Sequence, residues 1–188
     1  MSTVKFLTTI DTTVKHRGNE SLKGETDEDH CEALDEMLRV HNAAGFRIKT
    51  VECDGACKSM MDEVKDSLGI RMNYCNPDEH VPEIERSVRV MKERCRAHHH
   101  LMPYKVTPRL MTRVLGKHCC KLLNMLPAKG GVLKCHGRHM TMNKTNLICE
   151  KDFQHMIGDC GVADAITDNT VKARAVEAIH LRPVDNAQ

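Results

Sequence analysis

The sequence predicts an α/β fold, and three observations carry that prediction. Residues 80–97, HVPEIERSVRVMKERCRA, set Val81, Ile84, Val88, Met91 and Cys95 at steps of three and four, the period of a helix with one apolar face. Residues 46–53, FRIKTVEC, mix β-branched and apolar types and run into Asp54-Gly55, as a buried strand ending at a turn does. Between these lie a short helical stretch, 57–69, closed by Gly69 as its C-cap, and a short strand at 70–75. The resulting order is strand, aspartate, helix, strand, loop, helix.

The remaining elements follow along the chain. The apolar run 4–10 ends at Asp11 and, taken alone, could be a first strand. Residues 19–29 are polar, charged and glycine-containing, and are expected to form a loop leading to a helix. After residue 97, His98, His99 and His100 cannot all point one way on a helix, so they are expected at its fraying end. Thr107-Pro108 gives a helix start, with Thr as N-cap and Pro at the first helical position. Leu110, Met111, Val114, Leu115, Leu122 and Leu126 carry that helix's period, and Gly116, His118, Cys119 and Cys120 interrupt its apolar face, an interruption expected of sequence drift. The segment 128–131, AKGG, divides a core, 1–127, from a tail, 128–188, expected to be partly β and poorly ordered. Short strand signals occur across 145–169, FQHMIG among them, and the Ala, Lys, Arg and Glu content of 171–181 favours helix.

Composition narrows the function classes. A chain of 188 residues suffices for one core with a small appendage. The net charge of +2 gives no overall basic field, so nucleic-acid binding requires a local patch. Aromatic residues make up 3% with no Trp, which argues against base stacking and leaves twelve Met residues to fill an aliphatic core. No signal peptide or membrane-length apolar run is visible, so no membrane partner is expected. The ten cysteines then read as reduced thiols of an intracellular protein, nuclear if it acts on DNA. Cys53, Cys57 and Cys75, the 98–100 histidines, His118 with Cys119 and Cys120, and Cys135, His136 and His139 all lack paired zinc-knuckle spacing.

The chemistry concentrates on residues 80–97. Glu85 sits near the helix start and is followed by Arg86, Arg89, Lys92, Arg94 and Arg96. Glu85, Arg89, Lys92 and Arg96 step by four, three and four, and so share a face. A carboxylate beside a basic face suits a divalent metal near a phosphate backbone, whereas the simpler reading is a solvated charged surface. Lys105, Arg109, Arg113, Lys117 and Lys121 continue a basic row at four-residue steps.

Several blocks together resemble the integrase region of copia-type retrotransposon Pol polyproteins: GFRIKTVECDG at 45–55, HVPEIERSVRVMKERCRA at 80–97, LMPYK at 101–105, LLNMLPAKGGV at 122–132 and AIHLRPVDNAQ at 178–188. The resemblance spans nearly the whole chain, and the HVPEIER block is its most specific part. It implies a ribonuclease H-like core in which Asp54 matches the second catalytic aspartate and Glu85 the catalytic glutamate, both as Mg²⁺ ligands. Arg86, Arg89, Lys92 and Arg96 would then meet the DNA backbone. The first catalytic aspartate belongs on the strand opening such a core, and the sequence reads as starting after that strand, with Asp11 the other candidate for the role.

The expectation is therefore an inactive integrase-core remnant lacking its first strand, with weak, sequence-independent DNA binding and self-association through unpaired strand edges. Two alternatives stand beside it. One is an active metal-dependent strand-transfer domain using Asp11, Asp54 and Glu85. The other is a non-catalytic nucleic-acid-binding or assembly module that keeps only the basic helices.

Overall fold

Strand β1, Phe6–Ile10, turns back through Asp11 into β2, Arg17–Ser21, and the two pair antiparallel from Phe6 opposite Ser21 to Ile10 opposite Arg17. The structure is a computed structural model that describes residues 3–75, 82–127, 142, 144, 148, 150, 153–165 and 174–181. The expected loop at 19–29 is corrected here, because residues 19–21 belong to β2. RGNES has no β signature of its own. It is held extended by the ladder to β1, by a buried Asn19 bonded to Thr8 Oγ1 (3.0 Å), and by helices on both faces.

Helix α1, Asp27–Ala43, begins with a capping box. Thr26 Oγ1 accepts from the Asp29 amide (3.2 Å), and the Asp29 carboxylate accepts from the Thr26 amide (3.3 Å). Such a cap contributes about 1 kcal/mol. Leu34, Met37, Leu38 and His41 of α1 are buried. Gly18 of β2 sits so close beneath this helix that a Cβ there would collide with Met37 and Thr9.

Strand β3, Thr50–Cys53, is shorter than the expected 46–53 and pairs in parallel with β4, Arg71–Tyr74. Between them run a 3₁₀ turn, Gly55–Met60, and α2, Met61–Leu68. As the sequence indicates, α2 ends at Gly69 in the left-handed conformation (φ +66°), where a glycine carries no Cβ penalty. Leu34 and Leu38 of α1 pack with Met60, Val64, Ile70 and Met72 into one core, with Leu7, Val51 and Cys53 at its edge.

Helix α3, Pro82–Leu101, runs through the histidine cluster, and His98, His99 and His100 form its last turn, the helix end expected for them. Helix α4, Arg109–Met125, starts one residue later than expected. Pro108 occupies the N-cap, no side chain caps the helix, and the Thr107 hydroxyl lies instead 3.4 Å from that of Thr112. The residues that interrupt the apolar pattern of α4 are built into its packing. Gly116 lets α4 approach β1 and β2 so closely that a Cβ would strike the Phe6 ring and Asn19. Cys119 is 1% exposed beside Leu115 and Leu123. Asn124 pins β2 from the same side: its Oδ1 accepts the Arg17 amide (3.0 Å), and its Nδ2 donates to the Arg17 carbonyl (2.8 Å).

The hairpin is thus covered by α1 on one face and by α3 and α4 on the other. A third pair of strands, β5 (Cys160–Asp164) and β6 (Ala175–Ile179), forms an antiparallel ladder, which corrects the helix that composition favours at 171–181. The FQHMIG stretch is turn, not strand. No helix among the described residues is long and apolar enough to cross a membrane.

The strands form three separate two-stranded sheets, and no described strand lies between β1 and β3. The hydrogen-bond phase shows which backbone groups this leaves open. The Asp11 amide bonds the His16 carbonyl and the Leu22 amide bonds the Lys5 carbonyl, so odd-numbered residues of β1 face β2. Backbone groups of Thr8 and Ile10 therefore point to the opposite edge. In β3, the Lys49 and Cys53 carbonyls accept from Arg71 and Cys75, which leaves Thr50 and Glu52 pointing away from β4.

Candidate metal and nucleic-acid site

Asp54 follows directly on β3, as the sequence indicates for a strand-end carboxylate. Its backbone carbonyl accepts the Cys57 amide (3.0 Å) and so starts the 3₁₀ turn, while its side chain is exposed. Two thiols lie in the field of this carboxylate. Burial pushes the Cys53 thiol up to about 11, with Cys57, Cys75 and Asp54 adding to the shift, and burial raises Cys57 too. Cys53 is therefore a neutral thiol at neutral pH.

Glu85 lies in the first turn of α3, where the helix dipole favours a carboxylate. Ser87 and Met91 turn inward, and Glu85, Arg89, Lys92 and Arg96 line a shallow groove of about 430 Å³ with Ile84, Val88 and Glu93. The shared face expected from spacing is present. Arg86 is exposed on the same helix. Arg86, Arg89, Lys92 and Arg96 form no ion pair with a described residue.

The basic row on α4 is broken. Lys117 pairs with Glu20 of β2, and Arg113 is half-buried with its Nε enclosed.

Asp11 sits elsewhere and has a structural task. Its Oδ1 accepts the amides of Thr13 (2.7 Å) and Val14, which closes the turn between β1 and β2. Its Oδ2 faces His41 Nε2 at 3.9 Å. Asp11 lines a second cleft, of about 350 Å³, with Thr8 to Ile10 of β1, Thr50 to Glu52 of β3, Leu34, Leu38 and His41 of α1, and Glu83 and Ile84 of α3. Ile84 borders both the cleft and the groove. Glu52, Glu83 and His41 were not singled out from the sequence. Glu83 stands two residues before Glu85, and Glu52 alternates with Val51 and Cys53, but nothing local marks that they converge.

An exposed carboxylate at a strand end and another at a helix start suit one Mg²⁺, an ion usually held by one or two protein carboxylates plus water and phosphate. Among the described residues no group of three His, Cys, Asp or Glu side chains is placed to hold a metal. Asp54 lines neither the groove that Glu85 borders nor the second cleft, and the donor set among the described residues does not fit a two-metal centre.

No protein-family model and no curated protein matches this chain. Solved structures do. The catalytic core domain of BIV integrase aligns with a TM-score of 0.53 at 12% identity, over 75% of this chain and 91% of that one. The HTLV-2 integrase catalytic core domain, in complex with magnesium in a trimeric form, aligns with a TM-score of 0.49 at 15% identity, over 74% and 92%. At 12% identity the likeness to the BIV core speaks for architecture alone. The chain has the ribonuclease H-like α/β fold of an integrase catalytic core, with no strand among the described residues between β1 and β3.

Proposed function

We propose that this chain is a non-catalytic relative of copia-type integrase cores that retains a sequence-independent, phosphate-binding helix face. The observation that carries the reading is the groove on α3, where Arg89, Lys92 and Arg96 stand in a row with Glu85 at the helix start. Cations spaced along one helical face contact successive phosphates without reading bases. The blocks at 45–55 and 80–97 support the copia-type assignment, and Asp54 and Glu85 are the two catalytic positions it keeps. A bound Mg²⁺ would supply charge neutralisation between a carboxylate and a phosphate oxygen. Asp11, committed to its own turn, does not complete the set.

DNA binding by α3 should be steep in salt and indifferent to sequence. Fluorescence anisotropy with two unrelated duplexes across a salt series tests it. Each phosphate contact contributes about 0.9 to the slope of log K against log salt, so replacing Arg89, Lys92 and Arg96 by Ala should lower the slope by about 2 to 3. Binding that ignores salt, or that survives the triple replacement unchanged, would remove the proposal.

A further inference from the structure

We propose that the cleft between β1 and β3 is a strand-acceptor site for an extended segment of another polypeptide, apolar on one face and basic on the other. The inference is independent of the phosphate-binding reading. Among the described residues, two strand edges without a ladder partner face this one cleft. Thr8 and Ile10 on one side, and Thr50 and Glu52 on the other, direct backbone N–H and C=O groups away from their own partners. None of these groups is bonded to a described backbone group. An added strand would restore ladder bonds on both sides, the way sheet edges take up peptides.

The walls define what that strand must carry. Leu34 and Leu38 of α1 lie on one side of the cleft, the side into which Leu7 and Val51 also pack, so alternate residues of the guest meet an apolar floor. The other set meets Glu83 at the start of α3 and the exposed Glu52. Lys15 already pairs with Glu83 (2.8 Å), which shows that this rim accepts an ammonium group. Asp11 adds a third carboxylate to the lining. A side chain of period two, apolar then basic, matches both walls at once.

A second observation points to a missing guest. His41 is 6% exposed and lines the cleft, and its Nδ1 is engaged with the Met37 carbonyl (3.0 Å). Its Nε2 is enclosed without a hydrogen-bond partner among the described residues, although a buried polar atom ordinarily has one. The Asp11 Oδ2 atom stands 3.9 Å from it, too far for a hydrogen bond.

The test uses the full chain and a fluorescein-labelled, end-blocked peptide of alternating valine and lysine. Two controls accompany it: the same peptide with alternate backbone amides methylated, and one with glutamate in place of lysine. The expected result is saturable binding by anisotropy, with hydrogen exchange slowed at the Thr8, Ile10, Thr50 and Glu52 amides. Both controls should bind at least about tenfold more weakly, since one loses ladder bonds and the other meets like charge. Glu52→Lys should weaken the lysine peptide by a similar factor while leaving far-ultraviolet circular dichroism unchanged. Equal binding of the methylated peptide would overturn the proposal, as would binding without protection of those four amides. So would sedimentation showing that a second copy of the chain fills the cleft and excludes the peptide.

Discussion

Acidification is expected to remove about 3 kcal/mol of folding free energy through His118 alone as the pH falls from about 7 to 4. His118 lies on the buried side of α4, 7% exposed, with Nδ1 enclosed and unpartnered among the described residues. The His98 ring meets it edge-on at 5.6 Å. Burial first, then the charges of His98, His180 and Lys121, push the imidazole down from 6.5 to about 4. The folded chain thus keeps His118 neutral where the unfolded chain would protonate it. Its contribution is complete above about pH 6.5 and is lost as the pH falls toward about 4, because only the unfolded state gains the proton across that window. Urea unfolding of the natural chain and of His118→Leu at several pH values checks this. The natural chain should lose stability between pH 6.5 and 4 markedly faster than the variant, and parallel curves would show that another group governs the acid limb.

No joining of DNA ends is expected from this chain with either Mg²⁺ or Mn²⁺. In-line displacement at phosphate by two metals needs carboxylates enough to fix both ions around the scissile bond. Among the described residues no group of three carboxylate, imidazole or thiol side chains is placed to hold a metal ion. Asp54 and Glu85 stand on β3's end and α3's first turn, while Asp11 Oδ1 accepts the Thr13 and Val14 amides and Oδ2 faces His41. Losing one such electrostatic element costs several kcal/mol at the transition state, and each 1.4 kcal/mol is about tenfold in rate. The expected rate is therefore at least about a thousandfold below that of a complete site. An oligonucleotide end-joining assay reads it directly. Product that disappears on Asp11→Asn, with the fold intact, would show that Asp11 does serve the chemistry.

Legibility in the sequence followed the range of the interactions. Helix α3 and its outward row, Glu85, Arg89, Lys92 and Arg96, were readable because a 3.6-residue period is a local property. The Gly69 cap was readable because one left-handed residue demands glycine. Strand β2 was not, because Arg17–Ser21 becomes extended only through β1, Asn124 and the helices around it. The irregular face of α4 looked like a defect until Gly116 was seen beneath Phe6. The second cleft was invisible for the same reason. Its Asp11, His41, Glu52 and Glu83 come from four different elements and meet only in the folded chain.

The central structural claim is that β1 and β3 present open edges to one cleft in an otherwise integrase-like core. Amide hydrogen exchange on the free, dilute protein measures it without any ligand. The amides of Leu7, Thr9, Val51 and Cys53 point into existing ladders and should be protected, whereas those of Thr8, Ile10, Thr50 and Glu52 should exchange fast. Alternation of slow and fast amides along each strand is the expected result. Uniform protection along β1 and β3 would contradict it, since it would mean that the two edges are already paired.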